Sequence, residues 1–200
     1  MSHPVVKRLL DLLLGLPLFL LTLPLAVVIG LWIHWDSPGP VLFRQTRIGL
    51  GGRPFVMLKF RTMREGADRE WVPPRSAAEL EQYRFQSESD PRITRAGRFL
   101  RRTSLDELPQ LWQVVCGTMS LVGPRPEVPE VVALYAPEHH LRHTVKPGIT
   151  GLAQVQGRGE LTTGEALRWD LEYCRRMSLG LDLWILWKTL LVVFSRRGAR

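Results

Sequence analysis

The sequence predicts an α+β domain, mainly helical and held at a membrane. Three observations carry this. Leu12 to Ile33 contains no charged side chain. Two short β-rich stretches, Val41 to Gln45 and Phe55 to Arg61, flank a glycine-rich link, which is the pattern of a hairpin. Beyond them the apolar spacing is helical, interrupted by polar and Gly- or Pro-containing segments.

The N-terminal run comes first. As a helix its 22 residues reach about 33 Å, enough for a hydrocarbon core of about 30 Å. A secretory signal fits poorly, because the run is too long and no small-x-small cleavage site follows it. A spanning anchor and a re-entrant segment both remain. Pro17 and Pro24 lie inside the run, and an interior proline removes a hydrogen bond and kinks a helix. Lys7 and Arg8 precede it and Arg44, Arg47 and Arg53 follow, so basic charge gives no preferred crossing direction.

After the hairpin, residues 64–90 are polar and contain Pro73-Pro74, with a short helix expected near Ala77 to Phe85. A helix over Ile93 to Leu100 carries Arg95, Arg98, Arg101 and Arg102 toward an acidic pair, Asp106-Glu107. The stretch Lys146 to Arg158 is glycine-spaced and reads either as a loop wrapped around a ligand or as a turn and strand. A helix from about Gly164 to Met177 follows. The last, Leu181 to Ser195, is too apolar for one core-facing stripe. Trp184, Trp187 and Lys188, with Arg196, Arg197 and Arg200 beyond, mark it as interfacial on anionic lipid; a fully buried helix is the alternative.

With 200 residues and a formal charge of +8, the chain suits one domain that meets anions: nucleic acid, an anionic membrane or a phosphorylated substrate. Only four of its 27 cationic residues are lysines, and arginine is the better fork for phosphate. Cys116 and Cys174 form no CxxC pair, which argues against a disulfide framework or a zinc site. His139, His140 and His143 lack metal-helix spacing and read as a surface feature.

The chemistry concentrates at Asp106-Glu107, two adjacent carboxylates after Arg101-Arg102. Adjacent carboxylates repel and need cations to stay ionised together. A divalent metal would let them share a site with an anionic visitor. The plainer reading is a capping box, Ser104 capping a helix and Glu107 reaching back to it, with Pro109 in the first turn.

Six stretches then carry a resemblance: Lys7-Arg8-Leu9-Leu10-Asp11, Lys59-Phe60-Arg61-Thr62-Met63, Thr103 to Leu111, Met119 to Pro126, Lys146 to Gln154 and Ser178 to Asp182. In order and spacing the chain resembles the bacterial sugar transferases, monotopic polyprenol-phosphate phosphoglycosyl transferases, over nearly its whole length. The resemblance implies transfer of a phosphosugar from a UDP-sugar to polyprenol (undecaprenyl) phosphate with release of UMP. That is the first membrane step of glycoconjugate or exopolysaccharide assembly, at the cytosolic face of the bacterial inner membrane. It makes Asp106 the nucleophile and Glu107 the ligand of Mg2+. Lys59, Arg101 and Arg125 become phosphate or nucleotide contacts, joined by Arg61, Pro124 and Arg158. It also implies a monotopic arrangement: residues 1–36 form a re-entrant helix-break-helix, and 37–200 a catalytic domain continuous with it, including the interfacial helix 181–195. Inner-leaflet lipids are expected partners, with a homodimer left open, and nucleic acid is not expected. The family breaks its membrane helix at Ser-Pro; here the pair is Leu23-Pro24, and Thr22 is the hydroxyl nearest to hand. The rival is a non-enzymatic membrane-anchored protein whose basic face binds nucleic acid or anionic lipid, which would leave the dyad without a purpose. The sugar itself is not legible.

Overall fold

The computed structural model describes residues 3–84 and 90–195. One helix, α1 (His3–Asp36), opens the chain and runs through Pro17 and Pro24 without a break in its assignment. The expected helix-break-helix is therefore a single continuous helix here. Two interior prolines cost about 3 kcal/mol each, so α1 needs tertiary support, and it receives it at both ends. Thr22 donates to the carbonyls of Leu18 and Phe19. It does not reach the carbonyl of Leu20, the one Pro24 cannot serve.

A hairpin follows, β1 (Leu42–Ile48) and β2 (Pro54–Phe60), antiparallel with Leu42 opposite Phe60 and Ile48 opposite Pro54. Its turn holds Gly51 and Gly52 at positive φ. The excursion after it contains α2 (Ala77–Gln82), capped by Ser76; Phe85, where that helix was expected to end, lies outside the described residues. Then come α3 (Arg95–Thr103), α4 (Gln110–Cys116), β3 (Ser120–Val122) and the short α5 (Pro129–Val132). A 3-10 stretch Pro137–Thr144 leads to β4 (Gly148–Thr150) and α6 (Leu152–Gly157). The chain closes with α7 (Thr163–Arg176), held by a capping box between Thr162 and Glu165, and α8 (Leu179–Ser195).

The strands β3 and β4 pair in parallel, which settles the glycine-spaced segment. A Cβ on Gly148 would lie 2.1 Å from Gly123 N, and one on Gly151 2.3 Å from Gly123 O. These glycines let two backbones cross each other, and Ile149 and Thr150 between them line the large cavity that also holds Asp106 and Glu107.

Both ends of α1 rest on this body. Near its start, Lys7 Nζ donates to Asp182 Oδ2 at 2.8 Å, and Tyr173 OH donates to Asp182 Oδ1 at 2.7 Å. Arg8 donates to the last carbonyls of α4, Val114 O and Val115 O. Asp11 Oδ1 accepts from Ser120 Oγ and Leu121 N of β3. Near its end, Ile29 and Ile33 pack with Phe60, Ala96 and Leu100, and Asp36 accepts from Ala96 N at the start of α3. The outer side of α1 is bare: Leu13, Leu21, Val27 and Val28 are each more than 60% exposed. Trp184 and Trp187 of α8 are exposed as well, and Lys188 lies over the Trp184 ring. Apolar surface of this extent marks an interaction with lipid or a partner. Among the described residues, one helix is long and apolar enough to cross a membrane.

Candidate active site

The acidic pair is presented by a turn, and the turn by an unusual residue. After α3, Ser104 adopts φ 59°, ψ 16°, the one non-glycine among the described residues with positive φ. Such a conformation costs on the order of 1–3 kcal/mol and persists where the surroundings hold it. It reverses the chain into the 3-10 turn Leu105–Glu107, which has no side-chain cap. The capping-box reading is thereby corrected: Ser104 ends α3, and the Glu107 carboxylate goes elsewhere.

It goes to two cations. Arg125 Nη2 lies 2.8 Å and Lys59 Nζ 3.3 Å from the same oxygen, Glu107 Oε1. Each cation is placed by its own element. Lys59 sits in β2, which α4 grips through Gln113: its Nε2 donates to Val56 O, and its Oε1 accepts from Leu58 N. Because α4 begins three residues after Glu107, this amide sets the distance between strand and dyad. Arg125 follows the Gly123 crossing. Arg142 donates to Arg125 O and to Asp170 Oδ2, and Arg47 donates to Pro126 O and Glu127. The Arg125 backbone is thus pinned from two sides.

The electrostatics separate the carboxylates. Burial alone would raise Glu107, but Arg125 and Lys59 outweigh it and hold the group well below its ordinary value. Asp106 makes no hydrogen bond or ion pair among the described residues. Burial and the adjacent Glu107 charge push it up, only partly offset by Lys59, Arg125 and Arg101. Glu107 holds the Arg125 guanidinium firmly charged. Burial draws Lys59 down, as does Arg125, while Glu107 and Asp106 counter them. One carboxylate is neutralised and fixed; its neighbour is left with free oxygens.

Asp106, Glu107, Lys59, Arg101 and Arg125 line one cavity of about 1280 Å³. Arg101 reaches it from α3, its Nε donating to Thr62 Oγ1. Arg61 lines it too, yet its guanidinium ends on Ser37 and Pro38 at the exit of α1. Pro124 lies outside this cavity; its carbonyl accepts from Gly148 N in the backbone crossing. The backbone of Arg158 starts a 3-10 turn, and its side chain lies outside the described residues. Arg142 was missed in the sequence, folded into a histidine-rich stretch read as surface. It is 4% exposed, and no periodic signal announces a lone buried arginine.

The dyad would be the place to hold a divalent ion. Asp106 and one oxygen of Glu107 remain as donors, and no cluster of three acidic, His or Cys side chains occurs among the described residues. Magnesium binds in that manner, through one or two carboxylates with waters and substrate phosphates completing its shell.

An acidic dyad set among cations thus lies in one cavity of a body that carries an exposed apolar helix. Residues 2–196 match the bacterial sugar transferase family, and the chain belongs to it. It is 44% identical over 203 residues to a UDP-glucose:undecaprenyl-phosphate glucose-1-phosphate transferase of Xanthomonas campestris pv. campestris, covering 98% of this chain and 40% of that one. A protein of the same description from Caulobacter vibrioides is 45% identical over 191 residues, covering 92% and 67%. The exopolysaccharide production protein ExoY of Sinorhizobium fredii is 38% identical over 202 residues, covering 98% and 88%. The chain thus spans about two fifths of the first of these relatives and most of the last.

Proposed function

We propose that this chain transfers a sugar 1-phosphate from a UDP-sugar to polyprenol phosphate and releases UMP. The observation that carries the reading is the pairing of Asp106, without a hydrogen bond or ion pair among the described residues, with a Glu107 whose charge Arg125 and Lys59 already hold. In the first step an Asp106 carboxylate oxygen bonds to the sugar-bearing phosphorus, the bond to the bridging diphosphate oxygen breaks, and UMP leaves. In the second, an oxygen of the lipid phosphate bonds to that phosphorus and displaces Asp106, which regains its charge. No net proton is needed, so positioning and charge neutralisation carry the catalysis. Arg125 and Lys59 hold the dyad and face the diphosphate, and Arg101 adds a third cation. Magnesium, held through Glu107, would supply further neutralisation of the diphosphate. The relatives' names support the substrate class.

The membrane arrangement is part of the same proposal. The chain associates monotopically with the cytosolic face of the bacterial inner membrane, α1 bending at its interior prolines, without a break, to enter and leave one leaflet. From Lys7 to Ile33 a helix rises about 39 Å. A helix spanning a core of about 30 Å would carry one end away from the body, whereas residues at both ends of α1 are bonded to or packed on it. A protein whose basic face merely binds polyanions is disfavoured, because Arg8, Arg47, Arg61 and Arg142 are committed to internal bonds.

The test is UMP release by the purified protein in lipid nanodiscs, given UDP-glucose or UDP-galactose. Repeated turnover should require both undecaprenyl phosphate and magnesium, whereas donor alone should release at most one UMP per enzyme, with intact-mass analysis showing one added hexose phosphate. Absence of the adduct, together with turnover only when both substrates are bound, would sink the two-step scheme.

A further inference from the structure

We propose that the isoprenyl phosphate reaches Asp106 through an apolar opening between α1 and the last turns of α8, with Leu18, Val192 and Val193 as its lip. This rests on the transfer reading above and adds the route and the residues that select the lipid. Leu18 belongs at once to the exposed apolar side of α1 and to the wall of the cavity that holds Asp106. Val192 and Val193 of α8 line the same cavity from the facing element. On the outer surface beside them, Leu14 and Leu21 of α1 and Leu190 and Leu191 of α8 are exposed.

The same cavity is lined by aliphatic side chains, Leu18, Leu108, Ile149, Val192 and Val193, and by the cations Lys59 and Arg125 at the dyad. That combination matches a molecule with a branched hydrocarbon tail and an anionic head. Arg64, Asp68 and Arg92 line the cavity too, and charge of this kind suits a water-soluble nucleotide. The lip is held in register by a hydroxyl pair: Thr189 donates to Ile185 O, so Thr150 donates to Thr189 across 2.7 Å. This fastens α8 to β4, and β4 to the Gly123 crossing that precedes Arg125.

Leu18→Trp and Val193→Trp narrow the lip from opposite elements, at positions that are not fully buried. Steady-state UMP release in nanodiscs should show the KM for undecaprenyl phosphate raised about tenfold or more in each, with the KM for the UDP-sugar unchanged. A two-isoprene phosphate acceptor should suffer less than the full-length lipid. Leu21→Trp, outside the cavity, serves as the control, and thermal melts confirm folding. An unchanged lipid KM in both lip variants, or equal rises for both substrates, overturns the route; the second outcome would mean that the site as a whole has shifted or that another acyl chain fills the opening. Wild-type protein that releases no UMP overturns the transfer reading, and this route with it.

Discussion

Two carboxylates in this chain each meet a lysine, and they differ in what is left over. Asp182 is fully buried; Lys7 takes one of its oxygens and Tyr173 the other. Glu107 meets Lys59 and Arg125 through one oxygen only, beside an Asp106 that makes no hydrogen bond or ion pair among the described residues, and both line a cavity. A buried charge with both oxygens engaged holds elements together. A buried charge with capacity to spare, aimed at open space, is available for chemistry. The comparison teaches that the count of unspent hydrogen-bonding capacity, more than burial or pairing, divides scaffold from site in this protein.

The largest effect should come from the site. Asp106→Asn is expected to reduce UMP release on the order of 10⁴-fold or more, as loss of a covalent nucleophile does elsewhere, with the melting temperature nearly unchanged. Retained turnover would erase the distinction drawn above. Asp182→Ala should do the reverse. It strands Lys7 in the interior and costs about 3–5 kcal/mol of stability, read as a fall in melting temperature, while turnover per folded molecule stays near that of the wild type. Pairing Lys7→Met with Asp182→Leu should recover most of that loss; failure to recover would show that the pair does more than hold α1 in place.

The smallest effect concerns Asp170, which lies between the two types: Oδ2 meets Arg142, while Oδ1 is buried without a partner. Burial, opposed by Arg142, lifts its pKa to about 6. A carboxyl raised in the folded state favours folding when protonated. Its contribution is complete below the ordinary value of 3.8 and is lost as pH rises through about 6. Denaturation of wild type and Asp170→Asn between pH 4 and 7 should differ by a slope of at most about 1.4 kcal/mol per pH unit, the wild type weakening faster toward neutrality. Parallel curves would place Asp170 with the fully engaged groups.

Much of this was legible in the sequence, and the reason is locality. The hairpin, α3, α7 and α8 stand within a few residues of their expected positions because each is specified by its own apolar spacing and turn residues. The dyad, Lys59, Arg101 and Arg125, named from the sequence, line one cavity. What stayed hidden depends on distant partners. Lys7 and Asp182 are 175 positions apart. Arg142 carries no pattern that reveals its bond to the Arg125 carbonyl. The parallel pairing of two three-residue strands leaves no periodic trace. Ser104 looked like a cap because its spacing to Glu107 fits one; only its left-handed backbone shows that the turn takes the other course.

The bare side of α1 has a practical meaning for anyone who handles the protein. Its longest element is incomplete in water, and the missing half is supplied by whatever amphiphile surrounds it. A melting temperature recorded in one detergent is therefore a property of two substances, and variants rank truly only when the host is held constant.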